Sequence, residues 1–448
     1  EGEDLAGLGG EADRLAQRGI RDTIVVTERA DWGASRNAGS DKQTYYRLTL
    51  AGDEADSVLS LARTFFGGGC MHGDLALAEA ALSVRGFYRL VELGVPFPDD
   101  PSGGYPGYRT DHDPRQRGTS CGPLTSRIMA ECLERSARSR GVRILEGHRV
   151  LSILSLPGSR HARPGQAAAP PPVTGLLTLT PEGPCLFRCA AVVWAGGGPG
   201  ALYADSAYPE SQSGGLGPLL EAGVPLVNLT EWQYGMAALH PRWNLSGSYQ
   251  QVVPEYMALA EDGTSMRLCD VAGLQPDEWR AMTFLKGYQW PFQAERALDG
   301  SSRIDLAVLA AMSECPRRRV VLDYRTDPPD FDLGRLSGDA RAYLAAAGAL
   351  VPGPAARLRI LNEPAYRFFL ERGTDLARDP LDTAVCAQHC NGGAEVDDHW
   401  RTRVPGLFVC GEAAGTFGVR RPGGAALAST QAGSLRAAEC LALQPPRL

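Results

Sequence analysis

The period of the apolar positions changes along the chain, and each change marks an element. The run Arg14-Leu15-Ala16-Gln17-Arg18-Gly19 closes an amphipathic helix, and Thr23-Ile24-Val25-Val26-Thr27 follows as an unbroken apolar stretch, the mark of a strand buried on both faces. Residues 75–93 return to helical spacing, with Leu77, Ala80, Ala81, Val84, Phe87, Tyr88 and Val91 apolar and Gly94 and Pro96 as stop signals. Thr125 to Arg140 predicts another helix, with Ile128, Met129, Cys132 and Leu133 on one face. It leads into the strands Val142–Leu145 and Arg149–Leu154. Residues 158–174, rich in Pro, Gly, Ala and Arg, predict an exposed hairpin linker. Two further apolar runs, Ala190–Trp194 and Leu407–Cys410, each end in glycine, and residues 211–217 open a helix. Between about Trp243 and Val385 the buried-strand signal fades and Pro, Trp and charge increase, with a helix expected from Pro364 to Arg372. The pattern predicts an α/β body, 1–242 and 386–448, interrupted by an insertion, 243–385.

Composition narrows the class. A chain of 448 residues can bury an ordinary core without cross-links. Net charge is −7 with both signs interspersed, so nothing resembles a nucleic-acid stripe, and Arg317-Arg318-Arg319 reads as a solvated face. No apolar run is long enough to span a bilayer and no cleavable signal opens the sequence, so a cytoplasmic protein is expected. The eleven cysteines lack paired C-x-x-C spacing and enough neighbouring histidines for a metal; reduced, buried thiols are expected.

Candidate chemistry concentrates in four places. Glu28 ends the Thr23–Thr27 strand, where a dinucleotide fold uses an acid on a ribose hydroxyl. The preceding helix should follow a strand and a G-x-G-x-x-G loop, yet the sequence before it offers only Leu5-Ala6-Gly7-Leu8-Gly9-Gly10-Glu11; the first strand and most of the phosphate loop are expected to be missing. The loop Gly33–Gln43 is built of small and hydrogen-bonding residues. The run Ala195-Gly196-Gly197-Gly198 lets backbone approach a ligand without a Cβ in the way. Finally, residues 388–427 hold an ordered series: Gln388-His389-Cys390-Asn391-Gly392-Gly393, Val396-Asp397, Pro405-Gly406-Leu407, Gly411-Glu412, and Arg420-Arg421-Pro422-Gly423-Gly424-Ala425-Ala426-Leu427. There a strand delivers a carboxylate to its C-terminal end, and a fixed cation precedes a glycine pair and a helix N-terminus.

That series resembles the end of the fumarate reductase, succinate dehydrogenase and L-aspartate oxidase flavoproteins, whose pattern runs H-x-T-x-G-G, V-D, P-G-L, G-E, R-x-G-G-x-x-L; the likeness extends, more weakly, over most of the chain. The resemblance implies a Rossmann-like FAD-binding domain with a parallel sheet and an inserted α+β cap. It implies FAD contacts at Glu28, at Ser35, Arg36, Asn37, Ala38, Gly39, Ser40 and Gln43, at the backbone of Val150 near the adenine end, at Ala195, Gly196 and Gly197, and at Gly411, Glu412, Gly424, Ala426 and Leu427. The loop has no histidine to tether a flavin, so the FAD is expected to be noncovalent.

The same resemblance makes Arg421 the clamp for a substrate carboxylate. His240, in Leu239-His240-Pro241, is either a second carboxylate contact or structural. Arg303, ahead of a helix and of Val320-Val321-Leu322-Asp323, is either the cap's proton shuttle or a surface arginine. The family's histidine falls on Gln388, one residue before the candidate His389, while Pro422, Ala425 and Phe417 replace a leucine, an asparagine and a second histidine. A less charged site than that of a succinate or fumarate enzyme follows. The expected activity is hydride transfer between flavin N5 and a small organic acid or amino-acid-like substrate. With no iron–sulfur cysteine set, electrons would pass to oxygen, a quinone or a partner subunit. The alternative is a flavoprotein-derived binding or assembly subunit without catalysis.

Overall fold

The computed structural model describes residues 5–51, 55–110, 113, 115–155, 170–314 and 319–443. Helix Leu5–Gln17 packs against helices Thr125–Ser139 and Ala425–Leu443. Buried Asp13 locks part of this bundle: its carboxylate accepts from Arg89 at 2.8 Å, Arg140 at 2.9 Å and Ser136 at 2.5 Å, which satisfies a charge removed from water.

The α/β body holds two parallel strand pairs, Ile24–Val26 with Arg143–Leu145 and Val192–Trp194 with Leu407–Val409. A gap of about 740 Å³ is lined by Thr23–Val26, by Ala190–Gly196 and by apolar Leu15, Val150, Leu176 and Leu441. Strands Ile24–Val26 and Val192–Trp194 each have one ladder partner among the described residues, and both line this gap. Strands Arg149–Ser155, Val173–Thr180 and Gly183–Arg188 form an antiparallel meander beside it. Val173 and Thr174, expected in a linker, open the second of these strands because Val173 is buried in the core; residues 158–169 of that expected linker lie outside the described residues.

A six-stranded antiparallel sheet forms the second layer, in the order Arg242–Asn244, Trp232–Leu239, Leu381–Cys390, Arg319–Asp323, Glu255–Leu259, Ser265–Arg267. It draws residues from both sides of positions 243 and 385, so it runs from the body into the inserted segment. Trp279 and Tyr256, edge to face at 5.7 Å, lie in the core cluster behind it. The stretch Pro354–Leu370 is two helical segments that meet at a kink at Asn362 (φ −157°, ψ 74°), and the second is the expected helix, ending at Leu370 rather than Arg372. Asn362 caps the second segment, its Oδ1 accepting from the Ala365 N–H at 3.3 Å, so Pro364 falls in the first turn, where an N–H has no helical partner to lose.

Helix Gly73–Glu92 buries Glu79 against the C-terminal helix, where its carboxyl accepts from Ser429 Oγ at 2.6 Å. Burial pushes the Glu79 pKa up to about 8. Because the folded value lies above the unfolded one, the folded state keeps a proton that the unfolded chain gives up. Stability is therefore highest below the ordinary carboxylate range and falls as pH rises towards about 8. Glu79→Gln is expected to flatten the pH dependence of the thermal midpoint over that window; equal slopes in both proteins would refute this role. No helix among the described residues is long and apolar enough to cross a membrane.

Candidate active site

The ends of the body's elements and the inserted segment enclose a cavity of about 730 Å³, within the ~300–1,000 Å³ range of small-molecule sites. The loop after strand Ile24–Val26 forms one wall. Its single helical turn, Ala34–Asn37, puts Ser35 and then Ala38, Gly39, Ser40 and Gln43 on the cavity. Arg36 and Asn37, expected with them, point elsewhere: Arg36 pairs with Glu134 and Glu131, and the Asn37 amide donates to Asp31 O at 2.8 Å. They line a separate cleft of about 480 Å³. One helical turn cannot aim four consecutive side chains the same way.

The opposite wall comes from the ordered C-terminal series. Strand Leu407–Val409 ends at Gly411, whose φ of 69° turns the chain and presents Glu412. The Glu412 carboxylate accepts from the Tyr208 hydroxyl and, at 3.0 Å, from the Cys390 N–H. Arg421 is buried; its Nε and Nη2 donate to Gln233 Oε1 at 3.2 and 2.6 Å, leaving the remaining N–H groups for a ligand. Burial lowers its pKa to about 10, with the Glu412 charge opposing, so the guanidinium stays cationic near neutral pH. His389 is buried beside it, ring edge to face with Phe417 at 4.9 Å. Burial and then the Arg421 charge hold its pKa well below the usual histidine range, so the imidazole is neutral.

Backbone comes close to the cavity at three glycines. A Cβ at Gly39 would overlap the Trp243 ring; one at Gly197 (φ 71°) would meet Gln212 Nε2 at 2.6 Å, and one at Gly424 (φ 88°) would meet Thr44 O at 2.7 Å. Ala426 and Leu427, in the first turn of helix Ala425–Leu443, also line it, where N–H groups lack helical partners. Thr110 Oγ1, Ser126 Oγ, Asn244 Oδ1 and His389 Nε2 are lining polar atoms, buried and without a hydrogen-bond partner among the described residues. Bare backbone, unspent polar atoms and one buried cation suit a large planar polar cofactor next to an anion.

The remaining sequence candidates lie apart from the cavity. Arg303 opens helix Ser302–Glu314 and pairs with Glu278 at 2.5 Å on the neighbouring helix Pro276–Lys286; it is a partly exposed surface arginine. His240 is exposed at the hairpin tip between Trp232–Leu239 and Arg242–Asn244 and lines the smaller cleft with Arg36. Glu28 accepts from Arg149 Nε at 2.8 Å, outside the cavity. Val150, Ala195 and Gly196 line the gap of about 740 Å³ instead, and Gly411 acts through its turn. Sequence reasoning missed Gln233, Tyr208, Trp290 and Tyr343. Gln233 left a trace, a polar side chain within the buried strand Trp232–Leu239; the others left none.

Comparison with known proteins places this arrangement. The sequence family described as FAD binding domain matches residues 5–427. The chain is 26% identical over 436 residues to an L-aspartate oxidase of Streptomyces coelicolor, covering 94% of this chain and 64% of that protein, so it spans less than two thirds of that relative's length. Among solved structures, Sdh1 of Mycobacterium smegmatis in complex with UQ1 superposes with a TM-score of 0.69 at 18% identity, over 99% of this chain and 68% of that one. An E. coli quinol fumarate reductase chain gives 0.64 at 19% identity, over 99% and 70%. The fold expected from the sequence, α/β with an inserted α+β cap, is the fold these structures share. The chain belongs to the FAD-binding domain family, and FAD is its cofactor.

Proposed function

We propose that the protein is an FAD-dependent oxidoreductase that moves a hydride between flavin N5 and a small carboxylate-bearing substrate. One observation carries the reading: a buried, still-cationic Arg421 lines a cavity of about 730 Å³ walled by the Gly33–Gln43 loop and the C-terminal series. FAD supplies the hydride chemistry when bound. Ser35, Ala38, Gly39, Ser40, Gln43, Gly197, Glu412, Gly424, Ala426 and Leu427 hold the flavin end, while Glu28 and the Val150 backbone serve the adenosine end. Arg421 fixes the substrate carboxylate, and Gln233 holds the guanidinium in place. Residues 1–242 and 386–448 form the FAD-binding part, and 243–385 close over it. Anaerobic mixing of the FAD-bound protein with a panel of small carboxylic and amino acids tests the reading; loss of the oxidised-flavin absorption supports it, and an unchanged spectrum across the panel opposes it.

The FAD is noncovalent in this reading, since no histidine stands in the loop Gly33–Gln43. Acid denaturation is expected to release all yellow colour into the supernatant. Colour retained by the precipitate would reveal a covalent tether.

One observation favours the alternative, a flavoprotein-derived binding or assembly subunit without catalysis: Arg303, the candidate proton shuttle, is engaged by Glu278 away from the cavity.

A further inference from the structure

His389 presents a hydrogen-bond acceptor for which the described residues offer no donor. Asn391 fixes the ring: its Nδ2 donates to Val419 O at 3.2 Å, so its Oδ1, 2.9 Å from His389 Nδ1, receives that nitrogen's proton. Nε2 then carries a lone pair. It lies 3.6 Å from Glu412 Oε1, itself an acceptor, and has no hydrogen-bond partner among the described residues although His389 is only 5% exposed. Two acceptors facing each other need a donor between them, and an orphaned buried acceptor is costly. Phe417 packs against both His389 and Arg421, with the guanidinium carbon 5.8 Å from its ring centroid, so the orphaned acceptor and the buried cation share one end of the cavity.

We propose that His389 is a specificity-determining residue that selects acids bearing an N–H or O–H donor beside the carboxylate, that is, 2-amino or 2-hydroxy acids. This rests on the reading that Arg421 takes the carboxylate. Tyr288, Trp290 and Tyr343, which also line the cavity, suit an apolar or aromatic remainder better than a second carboxylate. Because His389 is neutral across the physiological range, the selection is independent of pH there.

The test compares L-phenylalanine, L-3-phenyllactate and 3-phenylpropanoate, which differ only in the group on carbon 2, by calorimetric binding to the FAD-bound protein. The amino or hydroxy acid, or both, should bind roughly three- to tenfold more tightly than 3-phenylpropanoate, one hydrogen bond's worth; which of them does so identifies the donor. His389→Phe should erase the preference, and His389→Gln, whose amide oxygen is an acceptor, should restore part of it. Equal binding of all three by the unaltered protein overturns the proposal whatever the variants do. So does a preference that survives His389→Phe, and so does a His389→Phe change that weakens FAD binding alone, which would give the acceptor to the flavin. The underlying reading fails separately: Arg421→Ala must weaken all three acids, and 3-phenylpropanoate binding untouched by it would remove the carboxylate from Arg421.

Discussion

Arg421→Ala is expected to raise the KM for a carboxylate substrate by about ten- to a hundredfold, the consequence of losing a charge-assisted hydrogen bond of roughly 1.5–3 kcal/mol. The guanidinium is buried and its Nε and Nη2 are committed to Gln233, so it is already oriented before a ligand arrives. Little orientation entropy remains to be lost on binding. Arg421→Lys keeps a charge but loses the fork, and is expected to recover only part of the loss. Arg303→Ala gives the contrast: paired with Glu278 on the surface, Arg303 should change kcat and KM by less than about twofold, as exposed ion pairs contribute little. A large kcat loss in Arg303→Ala would mean that the inserted segment moves to bring it to the substrate.

Asp41→Ala is expected to lower both stability and FAD affinity. The Asp41 carboxylate, fully buried, accepts from the Ser248 N–H at 2.7 Å and the Ser248 hydroxyl at 2.8 Å, while Asn362 donates to the Asp41 carbonyl at 3.1 Å and to Ser248 Oγ at 3.0 Å. The flavin loop, the turn at Gly247–Ser248 and the bend at Asn362 are thereby tied at one point. A Cβ at Gly247 would overlap the carboxylate, so this packing requires glycine there. Truncation orphans buried donors at roughly 1–3 kcal/mol each, and thermal unfolding should shift down by several degrees, with Asp41→Asn intermediate because it keeps one acceptor. Unchanged unfolding and FAD affinity in Asp41→Ala would show that the loop is held by other contacts.

The parts of the site that were legible in the sequence are those whose chemistry is local. Glu412 at a strand end, Arg421 before a glycine pair and the small-residue loop ending at Gln43 carry their meaning in adjacent residues, and all reach the cavity. Positions set by tertiary packing were less legible. Arg303 and His240 have suitable neighbours in sequence, but the packing of two helices and the tip of a hairpin direct them away from the cavity. Tyr208 and Trp290 reach it from irregular segments with no period to read. The helical segment after Asn362 was legible, since Pro364 signals a start in sequence and stands in its first turn in the structure; the segment before it, from Pro354, was not read.

Hydrogen exchange with and without FAD tests the central claim most directly. If the flavin occupies the cavity, FAD should slow amide exchange in two segments distant in sequence, residues 34–44 and 423–430, and leave the exposed Leu298 region of the inserted segment unchanged. FAD binding that protects neither segment would place the cofactor elsewhere and contradict the account.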